Sequence, residues 1–251
     1  MKLTRIPFSL GLAALAFFFW LGKAQAANPD IAAGDAAYAV RTATAGAAEA
    51  LEHYKAAFGG TDGAQARWKA ARALHWMGDQ GGGKKSDRAK AFEQGIIYAK
   101  EAVGAAQNRP ETHFWLAALY GSYGELKGVM KSLSLIAPIR AQLEEVNRID
   151  EKYQGGAGLR VLGIVDYKVP GFAGGSNKRA RERLTRALTL GPDNPYNHYY
   201  MGEFLFETGK KEDAARHLDT LAHLGVSADV DAPDLASIQA KGALLRKKIR
   251  S

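Results

Sequence analysis

Cysteine is absent from all 251 residues. That excludes a disulfide framework, a thiolate metal site, a thiol nucleophile and the lipidated cysteine of a lipoprotein, so packing alone has to hold the fold. Strand signals are nearly absent as well. The only β-branched cluster is Val161 to Val165, and helical neighbours flank it. Catalytic signatures are missing too. There is no H-E-x-x-H, no set of two histidines and one carboxylate, and no G-x-S-x-G or S-x-x-K nucleophile in a suitable context. Paired carboxylates such as Glu144-Glu145 and Glu212-Asp213 read as solvated helix faces. The sequence therefore points away from an enzyme, with no cofactor and no metal.

What is present is ordinary globular material. The chain is 47% hydrophobic and 24% charged, enough for a core in one domain or one repeat array. The formal net charge is +8, and Lys2, Arg5 and Lys23 supply three of those charges before residue 27. The remaining cations are scattered except at Lys84-Lys85, Lys178 to Arg186 and Arg246 to Arg250. A nucleic-acid face is denser and interleaved with aromatics, so no nucleic-acid partner is expected.

The first 26 residues have the three parts of a secretory leader. Lys2 and Arg5 form a positive start, Ile6 to Leu21 an uncharged apolar stretch, and Ala24-Gln25-Ala26 a peptidase site. The apolar stretch is short for a spanning helix, which needs about 20 residues. The expectation is a cleaved signal over 1–26 and a single helical repeat domain over 27–251, in the periplasm or secreted. Membrane attachment follows only if the leader is retained as an anchor.

Beyond the leader the sequence repeats itself. A tetratricopeptide unit reads W-x2-L-G-x2-Y, then A-x3-F-x2-A, then P, with small residues where two helices cross and large ones beside them. His198-x2-Met201-Gly202-x2-Leu205, a turn at Gly209 and Ala214-x3-Leu218-x2-Leu221 make one unit. Before it, Leu162-Gly163 and Ala180-x3-Leu184-x2-Ala187-x4-Pro192 make another, with about five extra residues inserted around Val169 to Gly175. Upstream, Ala50-x3-Tyr54-x2-Ala57, Trp68 and His113-x2-Leu116-Ala117-x2-Tyr120 repeat the pattern more loosely. Gly81-Gly82-Gly83 breaks one helix, Ser86-Asp87 offers a cap for the next, Gly124 reads as a turn, and Pro138 should kink a long helix. The fold class is all-α: a tetratricopeptide-like α-solenoid of ten to twelve antiparallel helices.

Three segments carry a closer resemblance. Arg160-Val161-Leu162-Gly163, Lys168-Val169-Pro170-Gly171-Phe172-Ala173-Gly174-Gly175-Ser176 and Leu190-Gly191-Pro192-Asp193-Asn194 resemble the TRAP-transporter-associated tetratricopeptide proteins, the T component of some TRAP transporters. Thr112 to Ala118 and Gly128 to Pro138 are similar to that family's central segment. The resemblance implies a periplasmic helical protein with a ligand cleft, partnering a substrate-binding protein for small organic molecules. Many members of that family are lipoproteins, and the missing cysteine departs from that pattern. The eukaryotic regulators of microtubule dynamics share the repeat arrangement but not the export leader.

In tetratricopeptide arrays certain first-helix positions face the concave side. In register, these are Trp76, Phe114, Arg160, Tyr167, Tyr196, Tyr199, Glu203 and Phe206, with Lys69, Met77, Ile164 and Glu207 beside them. So aromatic a face suits a small organic ligand or a partner protein. Alternatively the C-terminal helix, from about Asp231 to Ile249, folds into the groove and turns these residues into core. A generic scaffold gripping a peptide is the other functional reading. Gly174, Gly175, Ser176 and Lys178 could hold an anion at a helix start, or be no more than a capped turn. His113 and His198 stand where the repeat has a packing tryptophan and are expected to fill space.

Overall fold

In the computed structural model, which describes residues 28–42 and 45–250, the chain forms eleven α-helices among those residues. They pair in sequence order. The pairs are α1 (Pro29–Ala39) with α2 (Ala47–Ala56), α3 (Gly63–Gln80) with α4 (Lys85–Ala105), and α5 (Pro110–Lys127) with α6 (Val129–Ile149). Next come α7 (Ala157–Lys168) with α8 (Asn177–Leu190) and α9 (Pro195–Glu207) with α10 (Lys211–His223), and α11 (Ala232–Arg250) ends the array. The leader lies outside the described residues. No described helix is long and apolar enough to cross a membrane.

Local chemistry sets the boundaries. Asn28 and Asn194 cap α1 and α9 through their side-chain oxygens, each followed by a proline at the first helical position, where its missing N–H costs nothing. The α5–α6 turn falls at Gly128, whose φ of 103° a side chain would resist, rather than at Gly124. Gly124 is inside α5, where a Cβ would stand 3.1 Å from the Ser132 backbone, so its small size serves helix packing. Ser86 and Asp87 lie in the first turn of α4, and its cap position is Lys84, without a side-chain cap bond. Pro138 sits inside the continuous span of α6.

The repeat register is visible at two equivalent crossings. A Cβ on Gly163 would meet Leu184 at 2.9 Å and the Ala180 carbonyl at 3.4 Å. A Cβ on Gly202 would meet Leu218 at 3.1 Å and the Ala214 carbonyl at 3.4 Å. Both glycines let a buried leucine from the second helix lie against the first, the close approach that the repeat spacing implies.

Polar side chains tie first helices of neighbouring pairs to one another. Lys69 pairs with Asp35 between α3 and α1, and His75 bonds Ser122 at 2.9 Å between α3 and α5. Tyr167 donates to Glu203 between α7 and α9.

His75 carries a pH prediction. Burial holds its pKa below the ordinary 6.5, and burial does the same for His217, helped by neighbouring His198. Both are bases with lowered folded values, so below about pH 6.5 the unfolded chain takes up protons first. Stability is full above that pH and is lost as pH falls, by at most about 1.4 kcal/mol per pH unit for each group. Urea melts at pH 7 and 5.5 check this, and His75→Gln should flatten the slope.

Candidate functional site

The inner face of the array is occupied by the chain's own last helix. Ile238, Gly242 and Leu245 of α11 are buried, and Ile238 and Leu245 pack with Leu218 and Leu221 of α10. Tyr196, Tyr199 and Phe206 pack on that same cluster. These three groove residues are therefore the floor on which α11 rests. A Cβ at Gly242 would stand 2.5 Å from Leu221, so glycine is what lets the two helices close. Gln239 donates its amide to the carbonyls of Leu221 and Leu224, answering acceptors left free at the end of α10.

Charges fasten α11 at several levels. Arg41, at the end of α1, has a fully buried side chain stacked 3.8 Å from the Tyr38 ring centre and 4.2 Å from that of Trp76. Its guanidinium forks to Asp231 at 2.6 and 3.0 Å and reaches Asp234 at 2.7 Å. The first and last described helices thus meet through one arginine. Lys241 approaches Asp79 of α3 at 3.5 Å, and Arg246 reaches Asp219 at 2.8 Å.

Beneath the start of α11 is a buried cation without a paired carboxylate. Arg160 is 4% exposed. Its Nη1 donates to Asn197 Oδ1 at 2.8 Å and, weakly, to the Gln154 carbonyl at 3.4 Å; Nε and Nη2 have no partner among the described residues. Burial lowers its pKa. Asn197, also buried, is held in turn by its amide to the carbonyls of Gly155, Ala187 and Gly191. The Arg160 guanidinium stands 5.4 Å from the Tyr196 ring centre. Burial raises the pKa of the Tyr153, Tyr196 and Tyr200 phenols, and the Arg160 charge draws each back down. The Tyr153 hydroxyl is buried and unpartnered, and those of Tyr196 and Tyr200 make no hydrogen bond among the described residues. Exposed Asp229 adds a favourable field but no ion pair. The Arg160 charge is therefore felt by three phenols, of which Tyr196 lies nearest by its ring, and no carboxylate is bonded to it among the described residues.

The other groove positions are core or tied off. Trp76 packs with α1 and α2, and Phe114 lies edge-on to Trp115 and Tyr153. Glu203 accepts from Tyr167 and more weakly from Tyr199, and Lys168 lies 3.2 Å from it. His113 is buried with both ring nitrogens bonded, to Gln142 and to the Gln107 carbonyl.

At the expected anion position, Gly174, Gly175 and Ser176 have no free N–H group to offer a guest. The N–H groups of Gly174, Gly175 and Ser176 are already bonded to the carbonyls of Gly171, Pro170 and Asp166. Ser176 Oγ caps α8 by accepting from Arg179 N–H, and Lys178 is exposed. The Gly174 carbonyl itself accepts from Arg140 and Arg179. The loop is a capped turn, fixed by Asp166, a fully buried carboxylate bonded by Arg140, Arg179 and Arg183. Sequence reasoning missed that hub, the Arg41 clasp and the Tyr153 and Tyr200 phenols. Among the described residues no group of three or more histidines and acids is placed to hold a metal.

A family profile described as regulator of microtubule dynamics protein 1-3 matches residues 31–156, and a tetratricopeptide-repeat profile matches residues 172–241. No curated protein matches the chain. A solved structure of a thermophilic tetratricopeptide protein from Thermus thermophilus is similar, with a TM-score of 0.60 over 86% of this chain and 97% of that one. Identity is 16%, so the likeness establishes the fold.

Proposed function

Because this chain belongs to the regulator of microtubule dynamics protein 1-3 family and continues into a tetratricopeptide array, we propose that it is a non-enzymatic binding protein that holds a small organic anion at Arg160, beneath its own C-terminal helix. The observation that carries this reading is the buried Arg160 side chain, whose guanidinium has no paired carboxylate among the described residues, with the buried and unpartnered Tyr153 hydroxyl within its electrostatic reach. A buried charge without a counter-ion costs several kcal/mol, and an exogenous carboxylate or phosphate bonded to it would offset that cost. The seat of α11 on Tyr196, Tyr199 and Phe206 favours a compact guest over an extended peptide lying in an open trough. Export to the periplasm and partnership with a transporter substrate-binding protein remain the proposed setting, supported by the leader and by the resemblance over Leu159 to Leu221.

Arg160→Met separates a binding role from a structural one. Replacing an unpaired buried cation by an apolar chain of similar length should leave the melting temperature unchanged or raise it. The same change should weaken binding at least tenfold, since hydrogen bonds to charged groups contribute about 1.5–3 kcal/mol. Native mass spectrometry identifies a co-purified anion, and titration calorimetry with it gives the ratio. A variant that unfolds, or that binds as well as the parent, would refute the assignment.

A further inference from the structure

Two histidines far apart in sequence meet between α9 and α10. His198 and His217 place their Nδ1 atoms 3.2 Å apart, with ring centres separated by 5.3 Å. The proton positions follow from the surroundings. His198 Nε2 lies 2.7 Å from the Pro192 carbonyl and must donate to it, so its Nδ1 carries a lone pair. The proton between the rings then belongs to His217 Nδ1. Neutral imidazoles suit this arrangement, and burial lowers the His217 pKa.

From this geometry we propose that His198 and His217 form a two-imidazole chelate for a divalent transition cation such as Zn2+, clipping α9 to α10. Tetrahedral ligands at the usual Zn–N distance stand about 3.3 Å apart, close to the separation already present. Binding requires only that the His217 proton move from Nδ1 to Nε2 and that the rings turn modestly, so that both lone pairs converge on the ion. The Pro192 carbonyl supplies the outer hydrogen bond that orients a ligating imidazole. Water completes the coordination. Asp213, one turn before His217 on α10, is engaged by Arg216. The clip would brace the helix pair whose inner side carries Tyr196 and Tyr199, without touching Arg160.

The test is calorimetric titration of untagged protein with ZnCl2 near neutral pH. One ion should bind per chain, His198→Gln and His217→Gln should each lose at least tenfold in affinity, and His223→Gln should not. His223 is the control because it is exposed on the same helix and bonds only the Asp219 carbonyl. Melting in EDTA establishes that each variant is folded; if one is not, the other decides. Histidine nitrogen shifts in the parent report independently, since Zn2+ should move the Nδ1 signals of two residues. Absence of saturable one-to-one binding, or equal binding by the parent and a folded His198→Gln or His217→Gln, overturns the proposal.

Discussion

Asp166→Ala should destabilise the protein by about 3 kcal/mol, a loss of roughly 6–12 °C in melting temperature for a chain of this size. The carboxylate is completely buried, while Arg140, Arg179 and Arg183 around it keep 20%, 46% and 24% of their side-chain surface. Removing it leaves three like charges crowded at the end of α7 with no anion among them. Their partial exposure lets them turn outward, which keeps the loss at the lower end for a broken buried pair. The turn from Gly171 to Ser176 would also lose its anchor, because Arg140 and Arg179 bridge Asp166 to the Gly174 carbonyl. Asp166→Asn should rescue little, since an amide presents a donor to guanidinium groups that need acceptors. Thermal melts of both variants decide the matter, and a loss below about 1 kcal/mol would show that the arginines do not depend on this carboxylate.

Arg41→Ala should cost about 2–4 kcal/mol and should act first on the last helix. The side chain is wholly buried between Tyr38 and Trp76, so its loss removes packing as well as charge. Asp231 and Asp234 keep 37% and 29% of their side-chain surface and would be partly hydrated once unpaired, which reduces the penalty. Burial already raises the Asp234 pKa, with Asp231 adding to the rise, so without Arg41 two crowded carboxylates would push the start of α11 away. Repeat arrays unfold in neighbouring units, so the change should appear as faster proteolysis between Leu224 and Asp231 before the main transition moves. Unaltered cleavage there would mean that α11 is held without the clasp.

Much of the fold was legible in the sequence because its signals are local and periodic. Gly163 and Gly202, each paired with an alanine and a leucine at fixed spacing, specified two helix crossings, and both crossings have the expected geometry. Turn chemistry was less secure. The turn was read at Gly124, but it falls four residues later at Gly128, where φ is positive, because a packing glycine and a turn glycine look alike in sequence. The candidate site was legible in part, because Arg160, Tyr196 and Tyr199 follow from helix register. Whether they faced a guest or another helix depended on where α11 docks, and that is decided by Arg41 meeting Asp231 and Asp234 across almost the whole chain. No periodicity encodes such a pairing. Tyr153 and Asp166 escaped notice for a related reason: one lies in an irregular single turn before α7, the other reads as a solvated acid until three arginines surround it.

Zero-length carbodiimide coupling tests the placement of α11 directly, because it joins only amines and carboxylates already in contact. Lys241 and Asp79 are 3.5 Å apart and keep 46% and 35% of their side-chain surface, so the reagent can reach both. Lys127 and Glu93, 3.3 Å apart between α4 and α5, serve as the internal standard. With α11 seated in the groove, peptide mapping should recover both the Lys127–Glu93 and the Lys241–Asp79 linkages from monomeric protein. Recovery of the first without the second would place α11 outside the groove and leave the aromatic face open.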